Sequence, residues 1–127
     1  MEAAPAAAWS PEGRAQAYAA EFTRRMRICE KLKHDPDQRA RVMAHYKNNP
    51  ADWISDFGIT FDPRNQKPVP KLMPFILFPR QREFIEYLHG CLQDREAGLV
   101  EKARDMGASW LCVAFSVWLW LFHPGTA

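Results

Sequence analysis

The chain has 127 residues, 47% of them apolar and 25% charged, a balance that suits one folded domain and excludes a disordered polypeptide. Its formal net charge of +2 is too small to argue for nucleic acid by itself. Cys29, Cys91 and Cys112 are too scattered for a metal-ligand set and read as reduced thiols of a cytosolic protein.

In chain order, MEAAPAAAWSPEG lacks the basic and apolar regions of a signal peptide, and residues 1–13 read as a disordered tail. Residues 14–58 read as a helical amino-terminal region. A first helix over 14–33 places Tyr18, Phe22, Met26 and Cys29 at helical spacing. Asp35-Pro36 is an N-cap followed by a first-turn proline, opening a second helix that ends near Asn48. Asn49-Pro50 repeats the signal, and the short helix after it carries Trp53, Ile54 and Phe57 on one face and stops at Gly58 as a C-terminal cap. Between Arg14 and Lys47, nine Lys/Arg face four Asp/Glu, with Arg24, Arg25 and Arg27 clustered. That cluster is either a solvated helix face or a contact for DNA phosphates or an acidic partner.

Residues 59–79 hold five prolines and predict an extended connector. The last region, 80–127, opens with an amphipathic helix that aligns Phe84, Ile85, Leu88, Cys91 and Leu92. Leu99-Val100 follows Gly98 as a short strand running into KARDMGAS, and an apolar helix spans Ser109 to Phe122. Its apolar run, Trp110 to Phe122, is 13 residues, against the roughly 20 that a bilayer requires, so a buried helix is expected. Helix, strand, glycine-containing loop and buried helix, in that order, predict an α/β fold and the start of a nucleotide-binding domain.

The loop Lys102, Ala103, Arg104, Asp105, Met106, Gly107, Ala108, Ser109 can be laid on the phosphate-loop pattern G-x-x-x-x-G-K-[ST]. Gly107 and Ser109 match. Lys102 replaces the first glycine, and Ala108 replaces the lysine. The chemistry requires backbone N–H groups converging at a helix N-terminus, a hydroxyl for the metal and a nearby cation. Lys102 at the loop entry can reach the same cavity, and Arg104 adds a second cation. An ordinary turn before a buried helix would use the same residues.

EKARDMGASW resembles the deviant Walker A of the large terminase subunits of tailed bacteriophages, in which the lysine is often displaced to the start of the motif. NPADWISDFGITFDPRN, PFILFPRQREFIEYL and the closing FHPG also resemble that family, so the similarity spans roughly residues 45–125. The resemblance implies an ATP-driven motor that moves double-stranded DNA into a procapsid, with Mg2+ and ATP as cofactors. It implies that Gln81 contacts adenine, that residues 102–109 hold the phosphates, that Ser109 meets Mg2+ through the nucleotide and that Arg104 senses the γ-phosphate. It further implies portal protein and small terminase subunit as partners, a homo-oligomeric full-length motor, a downstream nuclease domain and action in the cytoplasm of the bacterial host. After Ser109 only 18 residues follow, none of them Asp or Glu. A second acidic strand and a water-orienting carboxylate are therefore missing, and the chain reads as an amino-terminal fragment. Another helicase-like P-loop ATPase and a non-enzymatic helical interaction module stay open as alternatives.

Overall fold

The structure, a computed structural model, describes residues 10–99 and 108–125. Five helices and one hairpin follow in order: α1 (Pro11–His34), α2 (Pro36–Asn48), α3 (Pro50–Phe57), β1 (Ile59–Phe61), β2 (Leu72–Pro74), α4 (Pro79–Asp94) and α5 (Ala108–Phe122). Four of the helices begin on proline, whose fixed φ suits the first turn and whose missing N–H costs nothing there. Asp35 caps α2 as expected, its carboxylate accepting from the Asp37 and Gln38 N–H groups at 3.1 Å each. Ser10 does the same for α1, accepting from Gly13 N–H at 3.1 Å. The helix therefore starts three residues before Arg14, and residues 11–13 belong to it rather than to a tail.

The face α1 turns to the body is also not the expected one. Tyr18 and Phe22 are half-buried, but Met26 and Cys29 are exposed, and the fully buried residue of the helix is Arg25. Its guanidinium donates to the Ser55 and Phe75 carbonyls at 3.0 and 3.3 Å, to the Gly58 carbonyl, and to Glu21 at 3.1 Å. Arg24 donates to Glu21 at 2.6 Å and to Asp56 at 2.9 Å. Two of the three clustered arginines thus bind α1 to α3, Arg25 from a buried position and Arg24 while still exposed. The Arg24 hydrogen bond, with help from Arg25, holds the Glu21 carboxyl below its usual range.

The proline-rich segment contains a small antiparallel sheet. Ile59 pairs with Pro74, Thr60 with Met73 and Phe61 with Leu72, and Phe75 N–H continues the ladder to the Gly58 carbonyl at 2.8 Å. Pro63, Pro68 and Pro70 all fall in the connecting loop, where no ladder bond is lost. Gly58 ends α3 with an ordinary extended backbone, φ −66°. A glycine is required there by contact, since an added Cβ would lie 2.6 Å from the Ile54 carbonyl oxygen.

Ala51, Ile54, Phe75, Ile85 and Leu111 form the core, so α5 is packed on α3 and α4. Trp118, fully buried, donates its indole N–H to the Tyr46 carbonyl at 2.6 Å and lies against the rings of Phe115, His89 and His123. His123 meets the Lys47 carbonyl at 3.1 Å. Two carbonyls in the last turn of α2 are thereby taken by side chains from the region of α5's end, and a helix C-terminus needs such partners. Leu99 is exposed and outside any strand, its N–H donating to the Tyr87 hydroxyl at 3.2 Å. The rest of the expected strand, from Val100 on, lies outside the described residues, which hold helices and the two-stranded antiparallel hairpin.

Candidate functional site

Of the residues expected to hold a nucleotide, Gln81, Ala108 and Ser109 are described; Lys102, Ala103, Arg104, Asp105, Met106 and Gly107 lie outside the described residues. Gln81 is the third residue of α4, on the face that carries Phe84, Ile85 and Leu88 toward the interior. Its side-chain oxygen accepts the backbone N–H of Phe78 at 2.9 Å. This is the reach-back half of a capping box, so one polar atom of Gln81 already serves its own helix. Ala108 is the first residue of α5, and Ser109 stands exposed on the first turn.

The two helices that flank the loop run in the same direction. Ile85 and Leu111 share the core, while His89 meets Trp118 with ring centroids 5.3 Å apart. Later residues of α4 therefore meet later residues of α5. Gln81 and Ser109 lie toward the same end of the pair. The 16 residues of α4 are about 24 Å long at 1.5 Å per residue. The 13 residues from Arg95 to Gly107 can reach about 43 Å at full extension, enough for a strand and a loop.

A second feature was not visible along the sequence. Helices α1, α2 and α3, with the start of α4, enclose a groove of about 550 Å3. One wall is an ionic network. Asp52 receives Arg82 at 2.6 Å and His45 at 2.7 Å, and Asp56 receives Arg24 at 2.9 Å and the Tyr46 hydroxyl at 2.6 Å. Burial, then that hydrogen bond to Asp56, pushes the Tyr46 phenol well above its ordinary value. The other wall carries Lys31, Gln38 and Arg41 above Ile28, Leu32 and Val42. Its early sign was the excess of basic residues between Arg14 and Lys47, which supplies Arg24, Lys31 and Arg41.

The His45–Asp52 pair does not form a general base aimed at the neighbouring Ser55. With Nε2–H on the carboxylate, Nδ1 faces the Asn49 amide at 3.4 Å, and both ring nitrogens are occupied. Among the described residues no group of His, Cys, Asp and Glu could hold a metal ion, and no helix is long and apolar enough to cross a membrane. Compared with protein-family models, with curated proteins and with solved structures, the chain finds no match.

Proposed function

We propose that residues 80–127 are the opening of an ATP-binding domain of the terminase type, and that the chain is the amino-terminal part of a motor that packages double-stranded DNA. The observation that carries this reading is the parallel course of α4 and α5, with Ala108 and Ser109 opening α5 at the end of the pair where Gln81 stands in the first turn of α4. A phosphate loop needs that arrangement, because it delivers successive backbone N–H groups and a hydroxyl to one helix N-terminus. Lys102 supplies the principal cation, Arg104 a second one that senses the γ-phosphate, and Ser109 the hydroxyl for Mg2+. Gln81 lies at the same end of the helix pair, where its amide can read an adenine edge while the oxygen keeps its bond to Phe78. Portal protein, the small terminase subunit and further copies of the motor are the partners, in the cytoplasm of a bacterial host.

Titration of the chain with a fluorescent ATP analogue and Mg2+ tests the reading. Saturable binding is expected, weakened roughly tenfold or more by Lys102→Ala, the loss of one charge-assisted phosphate contact. Turnover should stay at background, because residues 110–127 contain no carboxylate to hold the metal or orient water. Absence of saturable binding into the millimolar range, or binding indifferent to both Lys102→Ala and Arg104→Ala, would remove the nucleotide site.

A further inference from the structure

We propose that the groove between α1, α2, α3 and the start of α4 is a docking site for an acidic amphipathic segment of a partner protein. Charge comes first. The lining carries Arg24, Lys31, Arg41 and Arg82 against Asp52 and Asp56, an excess of two positive charges. The two carboxylates are already neutralised within the chain, by Arg82 on one side and Arg24 on the other. Lys31 and Arg41 pair with no acidic residue among the described residues, so the uncompensated charge is concentrated on the α1–α2 wall. A complementary partner would bring carboxylates to that wall.

The floor and the spacing decide the class of partner. Ile28, Leu32 and Val42 are half-buried at the base of the groove, and apolar floor with charged rim is the pattern that an amphipathic helix fills. Phosphate alone has no use for such a floor. Arg24 and Arg82 are engaged by Glu21, Asp56 and Asp52, which leaves Lys31 on α1 and Arg41 on α2, one cation from each helix rather than a cluster converged on a point anion. A duplex is convex, and would meet the rim without reaching the floor. Lys31, Arg41 and the apolar floor all lie outside residues 80–127, so the groove and the nucleotide site stand or fall separately.

The test uses the full chain and two synthetic helical peptides with the same leucine face, one with glutamates on the opposite face and one with lysines. Fluorescence anisotropy gives affinity, and backbone amide shifts give location. The glutamate peptide should bind saturably, shift amides around Lys31 and Arg41, and weaken as salt rises. The double variant Lys31→Glu/Arg41→Glu should lose roughly tenfold or more for the glutamate peptide and gain for the lysine peptide. Both side chains lie at the surface, and an unchanged circular dichroism spectrum shows that the variant is folded. Lys31→Gln/Arg41→Gln, which adds no repulsion, should give a smaller loss in the same direction. Failure of the glutamate peptide to bind, equal binding of the two peptides, or shifts confined to α5, which was expected to be buried but leaves Val113, Val117 and Trp120 exposed, would overturn the proposal. Pyrophosphate or a DNA duplex competing at the same amides would assign the groove to phosphate instead.

Discussion

Arg25→Met removes the buried cation of α1 while keeping much of its volume, and the cost can be worked from its four partners. The Gly58 carbonyl keeps the Phe75 N–H at 2.8 Å, the Ser55 carbonyl keeps Arg24 at 3.1 Å, and Glu21 keeps Arg24 at 2.6 Å. The Phe75 carbonyl loses the guanidinium that donates to it at 3.3 Å. Stranding one buried acceptor costs about 1–3 kcal/mol. Arg25→Ala adds the lost packing of the stem, taking the total to about 2–5 kcal/mol. A domain of this size is held by only about 5–15 kcal/mol, so the alanine variant approaches the limit of folding. Arg25→Lys keeps the charge but not the planar fork that spans several carbonyls, and should fall between wild type and methionine. Urea unfolding followed by tryptophan fluorescence reads the midpoint, with an unchanged slope marking a pure stability effect. Arg27→Ala, at an exposed position two residues on and roughly across the helix, should stay within about 0.5 kcal/mol of wild type. If Arg25→Met did so too, the carbonyl network would carry no net energy and α1 would be held by other contacts.

Arg95 closes α4 with φ 56°, a left-handed conformation that disfavours any residue with a Cβ; Arg95→Gly should therefore raise stability by about 0.5–1 kcal/mol, measured as a higher melting temperature. Gly58→Ala should lower it by about 1–3 kcal/mol, because the new Cβ meets the Ile54 carbonyl at 2.6 Å. A melt no lower than wild type would show that α3 can shift its last turn. Burial, and then the charge of nearby His123, lowers the folded-state pKa of His89 below its unfolded value of 6.5. The unfolded chain binds the proton more readily, so this stability is present above pH 6.5 and lost as pH falls through the lowered folded value. His89→Gln should flatten the melting temperature between pH 7 and the carboxylate range, where Glu21 takes over. Gln81→Glu retains an oxygen for the Phe78 N–H but removes the amide donor, so the helix should survive while any preference for ATP over GTP shrinks; equal loss of both nucleotides would leave Gln81 as a cap alone.

Where one local signal sufficed, the fold was legible in the sequence. Asp35-Pro36 set the start of α2, and the stripe through Phe84, Ile85 and Leu88 marked the inward face of α4. Ser10-Pro11 is the same signal as Asp35-Pro36, obscured by the alanine and proline around it. The hairpin was missed because its strands are three residues each, and prolines in the loop made the whole segment read as a connector. Arg25 was missed for a deeper reason. Hydrophobic periodicity assumes that apolar residues are the ones buried, and a guanidinium satisfied by main-chain carbonyls breaks that assumption. At the candidate nucleotide site, Gln81's place in the first turn of α4 followed from the helical stripe after Arg80, although Pro79 opens the helix rather than closing the connector; its bond to Phe78 did not follow. Of the groove, the basic excess between Arg14 and Lys47 was legible but the enclosure was not, since its charges come from four separate helices.

The last turn of α2 is capped locally by Asn49, whose N–H meets the Tyr46 carbonyl and whose amide meets the His45 carbonyl, and another part of the chain adds to that cap. With Trp118 on the Tyr46 carbonyl and His123 on the Lys47 carbonyl, the residues from 108 onward act as a removable stopper for that helix. A cut anywhere between Arg95 and Gly107 would therefore not yield a complete bundle and a spare helix. It would yield two complementary halves, each leaving polar or apolar surface that the other was shaped to cover, and the pair should stay together after cleavage. Tyr46 also holds Asp56 beside the groove, so loss of the stopper would be felt there, at the opposite end of the molecule's chain order from the loop that precedes it.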